Sequence, residues 1–338
     1  MKKQPSPLPR RRMLQLSLGA TAGILTTAAG CNTSTGETAQ SGGTSASCDV
    51  TPDQTLGPFY PHVKNGDGDV DLTTIQGKEG QAQGQVIRIR GRILDENCQP
   101  VEKALVEVWQ ANHAGRYSHE GDTENPIPLD PHFEGWGEMA TDANGDYAFK
   151  TIKPGAYSFG DPSIIENWRT PHIHFKVSRR GYHEIVTQMY FEGEALNATD
   201  TVIQELPEGE RAPFILASGQ QEDNIPVFNF NLTLKKVATS KERLAAIDAC
   251  TGKYEMSLPL RPPNEEVVIH REAQRLFLDL PGYATVELKP QGQDDFLATS
   301  VNCRLVFNRN EEGSVNSVTI HSILKSDKKA PVVAPKTA

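Results

Sequence analysis

The chain has 338 residues, 37% hydrophobic and 23% charged, with 28 Gly, 23 Pro and a formal net charge of −9. That length holds one large domain or two ordinary ones, and the composition excludes a polytopic membrane protein. The Gly and Pro content favours turns and strands over a helical bundle, and the acidic balance excludes nucleic acid as the main partner, because phosphate binding needs a basic footprint.

Residues 1–30 carry Lys2, Lys3, Arg10, Arg11 and Arg12 and no acid, followed by an apolar run from Met13 to Ala29. A basic head, an apolar middle and small residues before a cut make a secretory signal. Arg10-Arg11-Arg12 resembles a twin-arginine export signal, and Ala28-Ala29-Gly30-Cys31 resembles a bacterial lipobox in which Cys31 is lipidated. This layout predicts an extracytoplasmic protein, held to a bacterial membrane only through an N-terminal lipid on Cys31. Without the five basic residues of the signal, the formal charge of the remainder is −14. Residues 31–47, rich in Ser, Thr and Gly, read as a flexible tether. The remaining cysteines are Cys48, Cys98, Cys250 and Cys303, an even count that permits disulfides in an exported protein. Cys48–Cys98 and Cys250–Cys303 form the simplest of three connectivities.

From Cys48 to about Lys236 the pattern is strands and turns. Gln85–Leu94 alternates polar and apolar residues; Lys103–Gln110 alternates again, with Ala104, Val106 and Val108 on one face and Leu105, Glu107 and Trp109 on the other. Thr141–Asp146 carries Asn144-Gly145 and reads as a hairpin turn before a strand at Tyr147–Thr151. Pro171–Val177 is a further strand, and Phe228, Phe230, Leu232 and Leu234 line one face of another. Strands at this spacing predict an all-β protein, an antiparallel β-sandwich over 48–236. A short helix then starts near Ala238, with Thr239 and Glu242 placed as a capping box. Strands return at Glu265–His270, Arg275–Leu280, Thr285–Leu288, Cys303–Asn308 and Ser314–His321. Residues 240–325 thus form a small C-terminal β domain with no cluster of His, Cys or paired carboxylates, and 326–338 read as a disordered tail.

The chemistry lies in the first domain. His172 and His174 stand two apart in a strand, so both imidazoles leave the same face and can share one metal. No carboxylate follows at the spacing a zinc hydrolase would use, so further ligands come from elsewhere. Tyr117 and Tyr157, each just beyond a predicted strand, are candidates. Phenolate is a hard anionic ligand that suits ferric iron, whereas zinc prefers His, Cys and carboxylate. The bland reading of each tyrosine is a packing residue with a bonded hydroxyl.

Several stretches together resemble one family, the intradiol ring-cleaving dioxygenases, and most of all the iron-bearing subunits of its protocatechuate branch. They are Thr51–Pro61, Glu107–Asn112 through Tyr117, Gly135-Trp136-Gly137 with Thr141-Asp142, Pro154–Tyr157, Trp168–Phe175 and Thr187–Phe191, in the family's order across residues 48–236. The resemblance implies a non-haem Fe(III) held by Tyr117, Tyr157, His172 and His174, with Tyr157 doubling as ligand and base. It implies insertion of both atoms of O2 into a catechol-type, protocatechuate-like aromatic diol to give a cis,cis-muconate. Arg169 would stabilise the electron-rich ring by its fixed charge, with Gln188 and Trp168 beside the ligands or the substrate; a plain salt bridge to an acid is the bland reading of Arg169. After Tyr157 the family commonly has Pro-Trp, whereas Ser158-Phe159 stands here in a loop that shapes the pocket, so the identity of the diol stays open. Protocatechuate enzymes complete the pocket with a different subunit, which leaves a homo- or hetero-oligomer open as well. Two other functions remain: a non-catalytic lipoprotein binding an aromatic ligand on the same sandwich, and a zinc hydrolase using His172 and His174.

Overall fold

Alternation in the sequence becomes strands wherever one face can be buried. In the computed structural model these are β1 (Val86–Asp95), β2 (Leu105–Trp109), β3 (Trp136–Ala140), β4 (Asp146–Ile152), β5 (Tyr157–Ser158), β6 (Trp168–Arg169), β7 (His172–Ser178) and β8 (Ile185–Phe191). A short helix α1 (Thr201–Glu205) precedes β9 (Ile215–Leu216), β10 (Gln221–Glu222), β11 (Ile225–Asn229) and β12 (Leu232–Leu234). Helix α2 (Lys241–Cys250) leads to β13 (Gly252–Met256), β14 (Glu265–Glu272), β15 (Arg275–Leu280), β16 (Ala284–Pro290), β17 (Asp295–Ala298), β18 (Cys303–Arg309), β19 (Val315–Ser322) and β20 (Val332–Pro335). The structure describes residues 47–337 apart from 65–66, 217, 220, 239, 259–263 and 325–328. The signal, Cys31, the tether up to residue 46 and the capping residue Thr239 lie outside the described residues.

The protein is all-β. Two five-stranded sheets face each other, β10-β11-β1-β12 with β4 also on β1, and β3-β2-β7-β8-β9. Between them Ile87, Ile89, Val106, Val108, Phe149, Ile173, Phe175 and Phe230 form the first core. The expected antiparallel pairing is mixed: β1 runs parallel to β11 and β12, because the chain comes back to it from the other sheet and not through a hairpin. Phe228, Phe230, Leu232 and Leu234 are all buried, yet not in one strand: Phe228 lies in β11, Leu232 and Leu234 in β12, and Phe230 in the break between them. The Asn144-Gly145 turn is present, with Asp142 Oδ1 accepting from the N–H of Asn144 and of Asp146 at 2.8 and 2.9 Å. It is a corner and not a hairpin, since β3 pairs with β2 while β4 pairs with β1.

The last eight strands form a meander in chain order, β13 to β20. Tyr254 bridges Lys336 and the N–H of Thr337 donates to Lys253 O at 2.8 Å, so β20 returns to β13 and closes the sheet. Its core holds Leu278, Val286, Phe296, Leu305 and Ile320, with Ile247 and Cys250 of α2 inserted. Two expectations are corrected here. Ser240 is the N-cap of α2, its hydroxyl accepting from Arg243 N–H at 3.1 Å. The tail read as disordered contains β20, because Val332-Val333-Ala334 supplies β-branched residues to the open side of β19.

Sheet β3-β2-β7-β8-β9 is covered on both faces. Its second face meets residues 51–60, a strap lying between it and the C-terminal sheet. From the strap, Gln54 N–H donates to Val186 O at 2.7 Å, while Leu56 N–H donates to Ser300 O at 2.9 Å. Lys289 pairs with Asp53, and Glu287 of β16 accepts from the Glu184 N–H at 2.7 Å and contacts His183 Nδ1 at 2.6 Å.

Candidate metal centre

The alternation of β7 sends Ile173, Phe175 and Val177 into the sandwich core and His172 and His174 out of the opposite face. Neighbouring strands extend that face in register: Trp109 lies opposite His174 on one side, Gln188 on the other, and Tyr190 is opposite His172. The His174 ring stacks on the Trp109 indole at 4.7 Å and 8°, and Tyr60 meets the same indole edge-on at 5.0 Å.

Two loops add the tyrosines. The loop after β2 folds on Asn112, whose Oδ1 accepts from Ala114 and Arg116 N–H at 3.0 Å each, and Tyr117 N–H donates to Asp122 Oδ2 at 2.8 Å. Tyr157 opens β5. These loops touch backbone to backbone: a Cβ on Gly155 would stand 2.6 Å from Gly115 N, and one on Gly115 would run into the Ala156 carbonyl. Only glycine allows that approach, and it brings the phenols together.

The donors converge. His172 Nε2 lies 3.1 Å from His174 Nε2 and 3.3 Å from Tyr117 Oη. The Tyr117 and Tyr157 rings cross at 87° with centroids 5.4 Å apart, and their hydroxyls are hydrogen-bonded. None of the four side chains is more than 5% exposed. His172 Nδ1 donates to the Thr170 carbonyl at 2.6 Å, which leaves Nε2 facing the other donors with its lone pair. Burial, followed by the charge of Arg169, holds His172 well below its usual range; for His174 burial, His172 and Arg169 act in the same direction. Burial raises both phenols, most of all Tyr117 beside Tyr157. Two neutral imidazoles and two phenols that ionise only against strong positive charge make a donor set that fits a hard, highly charged cation. A surface groove of about 670 Å³ lies elsewhere, over β1 and β4, and is lined by none of these groups.

A family model described as dioxygenase matches residues 56–236. The protocatechuate 3,4-dioxygenase beta chain of Burkholderia cepacia is 42% identical over 191 residues, covering 55% of this chain and 80% of that relative. Catechol 1,2-dioxygenase 2 of Acinetobacter lwoffii is 33% identical over 156 residues, 43% of this chain and 52% of the relative. The chain belongs to the intradiol ring-cleaving dioxygenases. A solved dioxygenase domain from a dioxygenase carbohydrate-binding protein fusion of Streptomyces sp. SirexAA-E is 26% identical and covers 56% of this chain and all of its own, with a TM-score of 0.42.

Around the four donors this dioxygenase builds a polar layer. Arg169, on β6 opposite Tyr157, is 4% exposed; its Nε donates to Asp200 Oδ2 at 2.9 Å and its Nη2 to Gln188 Oε1 at 2.5 Å. Burial opposes the guanidinium charge, but Asp200, Tyr157 and Tyr190 outweigh it, and the group stays cationic. Gln188 Nε2 donates to Thr55 O of the strap at 2.9 Å, and Tyr190 Oη donates to Gln54 Oε1 at 2.6 Å. Tyr117, Tyr157, Arg169, His172, His174 and Gln188 are therefore one cluster. Trp168 stands apart: its Nε1 donates to Pro162 O at 2.9 Å, supporting the loop before β6. Cys48 and Cys98 are bonded to each other at the start of the strap. The expected Cys250–Cys303 pair is corrected: both are free, buried thiols, and Cys250 Sγ donates instead to Ala246 O at 3.4 Å within α2.

Sequence reasoning missed Asp200, Trp109 and Gly57 as members of the site. Asp200 signals only a helix start, and it does cap α1 through the N–H groups of Val202 and Ile203 at 2.9 and 3.1 Å. Its second oxygen serves Arg169 and the Thr170 N–H, which no spacing reveals.

Proposed function

We propose that the chain is a non-haem Fe(III) dioxygenase in which Tyr117, Tyr157, His172 and His174 hold the metal and a catechol-type diol, protocatechuate-like, is cleaved by O2 between its hydroxyl-bearing carbons to a cis,cis-muconate. The observation that carries this reading is the convergence of two neutral imidazole nitrogens, 3.1 Å apart, with two buried phenols on one dry face. Ferric iron at such a site would supply the Lewis acidity that draws electron density from a bound catecholate and opens its ring to dioxygen. The chain's own residues prepare that step. The Thr170 carbonyl fixes the His172 tautomer, and Trp109 fixes the plane of His174. Tyr157 is placed to hold a substrate hydroxyl proton at Oη. Arg169, oriented by Asp200 and Gln188, keeps a fixed positive charge against the Tyr157 side of the cluster, where an electron-rich ring gains most from it. The donor set contains no carboxylate, which favours this reading over a zinc hydrolase. Likeness to the Burkholderia cepacia beta chain supports protocatechuate as the first diol to try.

The test is iron content and colour of the purified protein, then oxygen uptake with catechol, protocatechuate and hydroxyquinol. Red-brown protein that consumes O2 with one of these diols and loses iron on His174→Ala is expected; colourless protein that carries zinc and no iron would overturn the reading. We further propose export and lipid anchoring through Cys31, supported by the basic head and apolar run of residues 1–30. Labelling with a radioactive fatty acid that persists in Cys31→Ala would overturn the anchor.

A further inference from the structure

The strap has two sides, and each is occupied. Towards the metal centre, Thr55 O accepts from Gln188 Nε2 at 2.9 Å, Gln54 Oε1 accepts from Tyr190 Oη at 2.6 Å, and Gly57 faces His174. A Cβ on Gly57, whose φ is +75°, would lie 3.2 Å from His174 Cε1 and 3.6 Å from Nε2. The strap backbone therefore forms a wall against the edge of the imidazole that carries Nε2.

Towards the C-terminal sheet the stretch Thr55–Gly57 is gripped again. Tyr283, in the turn between β15 and β16, donates its hydroxyl to the Gly57 carbonyl. Asn302 Nδ2 donates to Thr55 Oγ1 at 3.2 Å, the same hydroxyl oxygen accepts from Gly57 N–H at 3.3 Å, and Ser300 O accepts from Leu56 N–H at 2.9 Å. Tyr283 and Ala284 also pack on the cluster formed by Leu56, Tyr60, Trp109, Tyr117 and Tyr157. The family match ends at residue 236, so these grips come from a part of the chain outside it.

We propose that the C-terminal sheet is a working part of the metal centre, with Tyr283 and Asn302 as positioning residues that hold Thr55–Gly57 against Gln188 and His174. This rests on the reading of Tyr117, Tyr157, His172 and His174 as metal ligands. Tyr283 and Asn302 bond to the strap, Tyr283 to the Gly57 carbonyl and Asn302 to the Thr55 hydroxyl. Each holds a residue whose backbone faces the site, Gly57 towards His174 and Thr55 towards Gln188, so the sheet sets how far His174 and Gln188 can move without contributing a ligand. The strap is held from the outside by Tyr283 at Gly57, and on the inside there is little room even for a Cβ between Gly57 and the His174 ring.

The test uses the full-length protein with Tyr283→Phe, which keeps the ring and removes only the hydroxyl, and Asn302→Ser as a second variant. Histidine-selective 15N NMR of the metal-free protein reads His174 directly. Both variants should displace or broaden the His174 ring signals while those of His113 and His132 stay in place, and should speed hydrogen exchange at residues 54–57. With iron loaded, release to a chelator should be about fivefold faster, the equivalent of one net hydrogen bond, and the visible band should shift while circular dichroism is unchanged. Unchanged His174 signals and unchanged exchange at 54–57 in both well-folded variants would overturn the proposal. A wild-type protein that takes up no iron, but whose His174 signals still move in the variants, would instead overturn the ligand reading and leave the positioning role standing.

Discussion

Arg169 and Asp200 form a buried pair, 5% and 0% exposed at their side chains, that does structural and chemical duty at once. Removing the cation leaves Asp200 charged and dry, and its remaining donors, the N–H groups of Thr170, Val202 and Ile203, only partly compensate. Arg169→Ala is therefore expected to lose about 3–5 kcal/mol of stability, and adding Asp200→Asn should recover a large part of that loss. Urea denaturation of the two variants checks this; equal stabilities for the single and double variants would mean that the pair is not coupled. The bland reading of Arg169 as a salt-bridged residue and the functional one thus describe the same side chain. A period of two places His172 and His174 on one face, while Tyr117 and Tyr157 stood out as ligands only through the family resemblance. Asp200, Trp109 and Gly57 were not legible, because their roles depend on which strands and loops become neighbours.

The strands that alternate over five or more residues could be read from the chain, as β1, β2, β4, β14 and β15 show, because a half-buried strand writes its two faces directly into the sequence. What could not be read was the second covering of the β2-β7-β8 face. Glu107 and His174 look like an outward, wetted side, yet both are under 9% exposed beneath the strap and its neighbours. The two-residue strands β5 and β6 were illegible for a different reason: they exist only because Tyr157 and Arg169 meet across them. The strap itself is tied by the Cys48–Cys98 bond, which closes a span of 50 residues. Replacing both cysteines by serine should cost about 2–4 kcal/mol. Denaturation in the presence and absence of reductant measures this, and a loss below about 1 kcal/mol would show that the strap's hydrogen bonds hold it unaided.

For the molecule as a whole, the contact between sandwich and C-terminal sheet carries a pH dependence. Glu184, largely buried, is pushed up to about 7 by burial, with Lys176 opposing and Glu287 adding to the rise. An unfolded glutamate titrates near 4.3, so the folded state favours the protonated form. The stability this gives is full below about pH 4 and is lost as pH rises through about 7. Glu184→Gln should therefore unfold at a higher temperature than the wild type at pH 8, with the gap closing towards pH 5. Melting curves across that range test the sign, and a gap that widens on acidification would refute it. The strap has one more consequence, in the order in which the protein is made. The hydrogen bonds from Tyr283 to Gly57 and from Asn302 to Thr55 span 226 and 247 residues. A nascent chain with 250 residues released already contains every side chain of the donor cluster but nothing behind residues 55–57. The backing arrives only once residues 283–302 have followed, so a chain stalled before them would carry the donors on an unsupported wall, and metal acquired at that stage would be held less firmly than after they have folded.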